Sequence, residues 1–362
     1  MKKLVLAGGG HGHIMIIKEL AKNPIKDLDV TLVSDFRYQY YSGMLPGYME
    51  GIYCEEEICF DVQELCGAAN IHFVLDRILE IDANTKQVKT ENSVYPYDLL
   101  SMNLGSSPIR SLGELPPNAI YAKPIFELVR AFPELSQPEN SNIVIVGAGA
   151  AGAELILSLS TAHPEKSFTL VGSGSLLAHF NDKSRQKFLE LLKERDIPYL
   201  KKKVLAIEEG MLQLEDRKLP FDFAIIATGV TGPEIKWTGF KVNAQNQVLI
   251  DSKLRADSNS VAMGDMVQLI DYPKLPKAGV FAIRQAPILK ENLSILIKGL
   301  LQNEKESCSQ SCSLKCYCPQ KKYLAILNTG HKMAILNRGN WSWHGRIPWY
   351  IKDWIDRRYM NL

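Results

Sequence analysis

Residues 143–154, with the sequence IVIVGAGAAGAE, determine the fold class of this chain. Four β-branched residues predict a buried strand, and a helix-forming run follows glycines at the G-x-G-x-x-G spacing. Where a buried strand turns directly into a helix, free backbone N–H groups face a pyrophosphate, and side chains at the turn would block its approach. Gly147, Gly149 and Gly152 are therefore the predicted contacts of a dinucleotide. A glycine turn that serves only close packing is the alternative.

A second glycine-rich loop lies near the start of the chain, at residues 4–13 (LVLAGGGHGH). Gly8 and Gly10 hold the first two positions of the motif, but His13 stands where a third glycine would allow close helix–strand packing. The loop is either a turn whose histidines begin a helix, or a binding loop with an imidazole N–H beside a pyrophosphate or flavin edge. We favour the binding loop. Two loops predict two nucleotides, usually FAD as hydride acceptor and NADH or NADPH as donor.

Composition excludes several classes of protein. With 362 residues, of which 46% are hydrophobic and 23% charged, the chain is expected to be globular and to hold more than one domain. The net charge is only +2 and the basic run at 201–203 is short, so no nucleic-acid partner is expected. The apolar run after Met1 is too short for a signal peptide, and no stretch approaches the roughly 18 apolar residues of a membrane span. A cytoplasmic protein is predicted.

Residues at the ends of predicted strands are the candidates for recognising sugars. Ser34 and Asp35 follow the predicted strand at 30–33, where an acidic group can accept hydrogen bonds from ribose hydroxyls. Gly264 and Asp265 follow a later strand, where the glycine admits a ribityl chain and the carboxylate accepts its hydroxyls. The corresponding stretch after the second loop, residues 169–175 (TLVGSGS), has neither a carboxylate nor an arginine. This stretch therefore does not indicate whether the hydride donor is NADH or NADPH.

The sequence resembles the pyridine nucleotide-disulfide oxidoreductase superfamily, in its branch of type II NADH dehydrogenases. It is most similar to the flavoprotein domain that is fused to selenide, water dikinase in some organisms. The resemblance is carried by residues 8–13, 41–47, 123–124, 264–265 and 279–285, and in character by 349–358. It covers nearly the whole chain.

The resemblance implies two Rossmann-like dinucleotide-binding domains of an α/β, glutathione reductase-like FAD/NAD(P) fold, with a small C-terminal segment. It places a discontinuous FAD-binding domain at 1–117 and 247–302, an NAD(P)H-binding domain at 118–246, and the C-terminal segment at 303–362. It also implies hydride transfer from NAD(P)H to FAD, and then transfer of two electrons to a quinone or another small-molecule electron acceptor.

The resemblance also supplies most of the predicted site residues. Glu154 matches a carboxylate near the nicotinamide and flavin, although a first-turn helix acid is the plain alternative. Arg284 and Gln285 match residues at the flavin edge and acceptor site, although an exposed helix start explains them equally. The predicted FAD contacts are Gly8, Gly10, His11, Gly12, Ser34, Asp35, Ile78, Gly105, Gly264, Asp265 and Ala286. The predicted NAD(P)H contacts are Gly147, Gly149, Gly152, Ser173 and Gly229.

Cysteines offer rival chemistry. Cys54 and Cys59 have the C-x4-C spacing of disulfide reductases, but three intervening glutamates should raise the thiol pKa values and the flanks lack the expected glycines. Reduction of a selenium, sulfur or disulfide compound is therefore the alternative activity. A second group could form a zinc site, a regulatory disulfide or a mobile insertion, at a spacing that no standard metal site uses. Its members are Cys308, Cys312, Cys316 and Cys318.

The end of the chain predicts an amphipathic helix. Apolar residues recur at helical spacing, with charged residues on the opposite side. The stripe is Ile347, Tyr350, Ile351, Trp354, Ile355 and Arg358. Its interpretations are peripheral membrane contact, docking on the FAD domain, or contact with a second subunit in a homodimer. A non-catalytic flavoprotein that senses NAD(P)H is a further functional alternative.

Overall fold

The computed structural model describes residues 1–302 and 313–361. The helices are α1 (His11–Lys22), α2 (Leu45–Met49), α3 (Glu55–Ile58), α4 (Val62–Ala68), α5 (Ile125–Leu135), α6 (Ala150–Ala162), α7 (Asp182–Glu194), α8 (Gly279–Leu301) and α9 (Arg346–Met360), with a 3-10 turn at Gly264–Met266.

The strands follow in chain order. They are β1 (Lys2–Ala7), β2 (Leu28–Ser34), β3 (Tyr38–Tyr40), β4 (Cys59–Asp61), β5 (His72–Leu75), β6 (Ile78–Asp82), β7 (Gln87–Thr90), β8 (Val94–Pro96), β9 (Leu99–Met102), β10 (Ser107–Pro108), β11 (Ala119–Tyr121), β12 (Asn142–Val146), β13 (Ser167–Val171), β14 (Tyr199–Leu200), β15 (Val204–Glu208), β16 (Met211–Leu214), β17 (Lys218–Pro220), β18 (Phe223–Ile226), β19 (Val230–Thr231), β20 (Lys236–Thr238), β21 (Val248–Ile250), β22 (Ser260–Ala262), β23 (Val267–Leu269), β24 (Ala325–Gly330), β25 (Met333–Arg338) and β26 (Trp341–Gly345).

The chain forms two compact units. The first consists of residues 1–39, 59–107 and 231–319, and the second of 40–58, 108–230 and 320–362. This division differs from the boundaries expected from the sequence in placing 40–58 and 320–362 together with the second glycine loop. The physical reason is packing, because α2 and β24 both lie against α6.

The first unit is built on a five-stranded sheet in the order β22-β9-β1-β2-β5. All its neighbouring strands are parallel, and Leu4 of β1 lies in register with Val30 on one side and Leu99 on the other. Parallel strands are usually buried on both faces, which explains why β1 is a continuous apolar run. A smaller sheet, β20-β6-β7-β8, belongs to the same unit.

The second unit repeats the parallel arrangement in the order β11-β18-β12-β13-β14. Its central strand β12 is the apolar run predicted from the sequence, with Ile143 in register with Phe168 and Phe223. Two antiparallel sheets, β15-β16-β17 and β24-β25-β26, complete the unit. The predicted α/β class with two Rossmann-like domains is confirmed.

His13 fills the position of the missing third glycine in the first loop. Its imidazole is fully buried, with Nδ1 2.6 Å from the Gly8 carbonyl oxygen and Nε2 2.8 Å from the Ser101 hydroxyl. The side chain therefore ties the glycine turn to the neighbouring strand β9. An imidazole beside a pyrophosphate or flavin edge is a wrong interpretation for His13, because both ring nitrogens are bonded within the protein. Burial lowers the pKa of His13 to about 4.

We expect His13 to make the first unit sensitive to acid. Because the folded pKa of about 4 lies below the ordinary value of 6.5, the unfolded chain binds the proton more tightly. Stability is thus complete above pH 6.5 and falls as the pH drops towards 4, by about 2 kcal/mol at pH 5. Urea unfolding at pH 8 and pH 5 should show a change on acidification that is about 2 kcal/mol more destabilising in the wild type than in His13→Gln, because all other titrating groups are common to both proteins.

The matched control is His72→Gln, since His72 is exposed on β5. It should keep the pH dependence of the wild type. Equal pH dependence in the wild type and His13→Gln would contradict the assignment.

Candidate functional site

The glycines of the second loop have two different roles, close packing of the backbone and access for a ligand. A Cβ on Gly147, which has φ +130°, would overlap the Ala227 carbonyl oxygen, and a Cβ on Gly152 would overlap the Gly147 carbonyl oxygen. A Cβ on Gly149 would meet no described atom within 4 Å. Gly147 and Gly152 therefore allow the strand, turn and helix to pack, whereas Gly149 faces open space at the start of α6. That opening is where a pyrophosphate would meet the helix N-terminus.

The remaining predicted NAD(P)H residues lie at the same end of the sheet. Ser173 follows β13, whose neighbouring residue Gly172 approaches the glycine loop so closely that a Cβ there would lie 2.7 Å from the Ala148 Cβ. Gly229 follows β18 with φ +123° and accepts a 3.1 Å hydrogen bond from the Ile109 N–H. The structure thus brings all five predicted residues to the carboxyl edge of one sheet, where α/β proteins bind ligands.

The first glycine loop is fastened by a residue that the sequence reasoning did not select. Asn103 follows β9, and its Oδ1 accepts a 2.9 Å hydrogen bond from the Gly12 N–H. Its carbonyl oxygen accepts a 3.2 Å bond from the Gly10 N–H, and its Nδ2 donates to the Met263 carbonyl oxygen at 3.4 Å. A polar residue directly after a buried strand was the available signal. Asn103 therefore links the loop to the Gly264 turn.

The sugar-recognition candidates of the first unit have different surroundings. Ser34 is buried and its hydroxyl closes a turn with the backbone of Phe36, at 3.0 and 3.2 Å. Asp35 is exposed at the end of β2. The hydroxyl of Ser106 donates to the Asp265 carboxylate at 3.4 Å. Of the pair after β2, Asp35 is therefore the one with a carboxylate open to a ribose.

The N-terminal part of α8 supports the Gly264 turn. The buried Gln285 side chain accepts a 2.8 Å hydrogen bond from the Gly264 N–H, and Gly264 has a φ of +84°. Arg284 is exposed on the same helix turn. A small cleft lies here, and Asp265, Lys277 and Gln285 contribute polar groups to it. Gln285 thus positions backbone in this structure, and its predicted contact with an acceptor stays a prediction.

The local surroundings of four other predicted FAD contacts are described by the structure. Ile78 begins β6 and Ala286 lies in α8, and both side chains belong to the hydrophobic core of the first unit. Gly105 has φ +75° and open space around its Cβ position. His11 begins α1, with its ring 6.3 Å from that of Phe60 in an edge-on arrangement. Their contacts with FAD stay predictions.

The first unit nevertheless fits a flavin dinucleotide. A Cβ on Gly10 would overlap the Asn103 side chain and one on Gly12 the Met263 sulfur, so only glycines allow this turn. The turn leads directly into α1 from a buried parallel strand, with the carboxylate of Asp35 on the next strand. This is the arrangement that holds a pyrophosphate and a ribose.

The predicted residue Glu154 belongs to a cluster in the second unit whose other members the sequence did not indicate. The Lys352 ammonium lies 2.7 Å from the Asp356 carboxylate and also donates to the Gly43 carbonyl oxygen. The Tyr41 hydroxyl donates to Asp356 at 3.0 Å. Glu154, which lies beyond the first turn of α6, accepts a 2.8 Å hydrogen bond from the Asn328 N–H. We call Glu154, Lys352, Asp356 and Tyr41 the charged cluster.

The surroundings of the charged cluster raise the pKa values of both Glu154 and Lys352. Burial raises the pKa of Glu154 to about 7, against the opposing effect of Lys352 and the Asn328 N–H. Burial alone would favour the neutral amine of Lys352, but the Asp356 and Glu154 carboxylates raise its pKa above the ordinary value. A carboxyl group that titrates near neutral pH beside a fixed ammonium is suited to proton transfer.

The terminal helix α9 buries part of its charged side and exposes much of its apolar stripe. Asp356, assigned to the polar face, is only 4% exposed, whereas Ile347, Tyr350 and Trp354 of the apolar stripe are 55%, 57% and 61% exposed. These three side chains are exposed in the described part of the chain, and contact of the stripe with a membrane, the FAD domain or a second subunit stays a prediction. The charged pair can be buried because the Tyr41 hydroxyl donates to Asp356 and the Lys352 ammonium donates to the Gly43 carbonyl oxygen.

The cysteines give no support to thiol chemistry. A backbone hydrogen bond from Glu57 favours the Cys54 thiolate, but Glu56 and Glu57 outweigh it and raise the pKa of the thiol, as predicted. Cys308 and Cys312 lie outside the described residues, and Cys316 and Cys318 are exposed free thiols. Within residues 1–302 and 313–361, no group of histidine, cysteine or acidic side chains is placed to hold a metal.

Comparisons with known proteins agree with this geometry. The family model for pyridine nucleotide-disulphide oxidoreductases matches residues 2–286. A type II NADH:quinone oxidoreductase of Staphylococcus saprophyticus is 21% identical over 351 residues, covering 86% of this chain and 87% of the relative.

Solved structures share the fold. The NDH2 of Plasmodium falciparum in complex with NADH superposes with a TM-score of 0.77 at 15% identity, over 99% of this chain and 96% of that one. The sulfide:quinone oxidoreductase of Aquifex aeolicus gives 0.75 at 20% identity, over 100% and 92%. The chain belongs to the pyridine nucleotide-disulphide oxidoreductase family and is an FAD-dependent NAD(P)H oxidoreductase.

Proposed function

We propose that this oxidoreductase passes the two electrons of NAD(P)H to a quinone. When bound, FAD accepts a hydride from NAD(P)H and transfers its electrons onwards. Conversion of a quinone to a quinol takes up two protons with two electrons. The observation that carries the proposal is the charged cluster, because Glu154 titrates near neutral pH next to the Lys352 ammonium. The S. saprophyticus relative supports the same acceptor class.

Each group of the cluster has a distinct task in this proposal. The Glu154 carboxyl group holds and delivers a proton, and its place in α6 puts it one turn beyond the donor loop. The Lys352 ammonium stabilises negative charge that develops on a quinone oxygen. Asp356 and Tyr41 position Lys352 and do not contact the substrate. Removal of Asp356 would leave a buried, unpaired cation, at a cost of several kcal/mol.

The exposed stripe of α9 supports contact with a membrane surface, where lipid-soluble quinones reside. Indole rings favour the membrane interface, and exposed Trp341 and Trp343 on β26 accompany Trp354 of α9. No helix in the described ranges is long and apolar enough to cross a bilayer. We therefore propose peripheral contact from the cytoplasmic side. Burial of the same stripe in a homodimer is the competing outcome.

The resemblance to the flavoprotein domain fused to selenide, water dikinase suggests a different acceptor. In that case the reduced enzyme would pass its electrons to a selenium or sulfur compound. The raised pKa of the Cys54 thiol disfavours a disulfide substrate that requires a thiolate. We rank this activity second.

The acceptor can be identified by sequential mixing. Anaerobic reduction with NADH or NADPH should bleach the flavin rapidly, and mixing with a soluble quinone should reoxidise it within a catalytic turnover. Rapid bleaching without reoxidation by quinone, but with reoxidation by selenite or a disulfide, would establish the second-ranked activity. Slow bleaching with either donor would instead identify a sensor of NAD(P)H.

Glu154 should confer a pH dependence on reoxidation by quinone. The protonated form is the donor, so the rate should fall as the pH rises through about 7. Glu154→Gln should remove this pH step and lower the rate by about 100-fold, within the usual range for general acid catalysis. Stopped-flow rates from pH 5.5 to pH 9 would measure both effects.

Glu209→Gln is the control, since Glu209 is exposed in the turn before β16. It should behave as the wild type does. An unchanged pH profile in Glu154→Gln would refute the role of Glu154.

Substitutions in the donor loop can distinguish the glycine that contacts the nucleotide from the glycine that allows backbone packing. Gly149→Ala should leave the melting temperature unchanged, because φ is −79° and the new Cβ meets open space. It should weaken NAD(P)H binding by about tenfold or more, since 1.4 kcal/mol of lost contact gives that factor. Gly152→Ala should instead destabilise the fold by about 1–3 kcal/mol, because its Cβ would overlap the Gly147 carbonyl oxygen.

Thermal unfolding and nucleotide titration of both variants provide the measurement. Normal NAD(P)H affinity in Gly149→Ala would show that the open space is not the pyrophosphate site.

A further inference from the structure

The residues that follow β13 are placed to meet the adenosine ribose of the donor. The Leu177 N–H donates to the Ala148 carbonyl oxygen at 2.9 Å, so the stretch after β13 folds directly onto the glycine loop. A Cβ on Gly174 would meet open space within 4 Å, as at Gly149. Residues 172–175 therefore lie beside the pyrophosphate position. They contain two serines and no carboxylate.

The neighbouring strand brings three lysines to the same edge. β14 is parallel to β13, with Val171 in register with Leu200, and the Gly172 N–H continues the ladder to the Leu200 carbonyl oxygen at 3.0 Å. Lys201 directly follows Leu200, where the Lys202 N–H turns back to the Leu200 carbonyl oxygen at 2.9 Å, so the lysines lie at the carboxyl edge of the sheet near Gly172. The basic run at 201–203 was too short to suggest a nucleic-acid partner. Its position after β14 instead places these lysines beside the predicted nucleotide site.

The three lysines differ in their partners. The Lys202 ammonium lies 3.0 Å from the Asp216 carboxylate. Lys201 and Lys203 are exposed and form no ion pair with any residue in 1–302 or 313–361. The acidic residues of the adjoining sheet β15-β16-β17 and its turns are Asp216, which is paired with Lys202, and the exposed Glu208, Glu209 and Glu215. Two ammonium groups are consequently available next to a ribose-binding stretch that has no carboxylate.

We propose that Lys201 and Lys203, with the Ser173 hydroxyl, bind a 2′-phosphate, so that the physiological donor is NADPH. A carboxylate at this place accepts both ribose hydroxyls of NADH and repels a 2′-phosphate, whereas cations attract it. Ammonium groups bind phosphate through charge-assisted hydrogen bonds, and a serine hydroxyl can donate another. The inference depends on NAD(P)H oxidation and not on the identity of the electron acceptor.

Binding of two small probes tests the proposal without electron transfer. Adenosine 2′,5′-bisphosphate carries the 2′-phosphate and AMP lacks it, and calorimetric titration of the holoenzyme gives both affinities. The wild type should bind the bisphosphate at least about tenfold more tightly, equivalent to one charge-assisted contact. Lys201→Ala/Lys203→Ala should remove most of this difference and leave AMP binding within about twofold of the wild type.

A matched variant controls for net charge. Lys193→Ala/Lys321→Ala also removes two exposed lysines of the second unit and should keep the preference for the bisphosphate. Ser173→Asp should weaken bisphosphate binding further by repulsion. Melting temperatures verify that each variant is folded.

Equal affinity of the wild type for both probes would overturn the proposal, as would an equal loss of both affinities in the Lys201/Lys203 variant. An equal loss of bisphosphate affinity in the control variant would also overturn it, by showing a general charge effect. Saturation of flavin bleaching at lower NADPH than NADH would agree with the binding result. Failure of quinone reoxidation would leave these affinities unaffected, so the two proposals fail separately.

Discussion

The turn from a buried parallel strand into a helix leaves no room for side chains, and both units of this protein are organised around that constraint. In the second unit the constraint is met by glycine alone, with Gly147 and Gly152 against backbone carbonyl groups. In the first unit the turn is held by Asn103 and by the buried imidazole of His13. Each turn leaves a helix N-terminus accessible to a pyrophosphate.

Much of this could be predicted from sequence because the constraint is local. The spacing of Gly147, Gly149 and Gly152 identified a strand, a turn and a helix without knowledge of any distant residue. The role of His13 could not be read in the same way, since its partner Ser101 lies on a strand far along the chain. Asn103 was passed over for the same reason. Contacts between distant segments determine both residues.

The burial of charged residues in α9 could not be predicted from their spacing. The spacing in α9 predicts an apolar stripe opposite a charged side, yet the Lys352–Asp356 pair of the charged side is buried, whereas Tyr350 and Trp354 of the stripe are exposed. Tertiary partners decide this, because Tyr41 and Gly43 supply the hydrogen bonds that let the pair be buried. Helix propensity and periodicity carry no information about such partners. Burial of an ion pair costs desolvation free energy, so a functional role explains the buried Lys352–Asp356 pair better than a gain in stability does.

We propose that Glu154 exchanges a proton near neutral pH beside the donor loop. The most direct measurement is the infrared band of its protonated carboxyl group, obtained as the difference between the wild type and Glu154→Gln across a pH titration. We predict a band that is present at pH 6 and disappears with a midpoint near 7. A carboxylate that is already ionised at pH 5 would contradict the account.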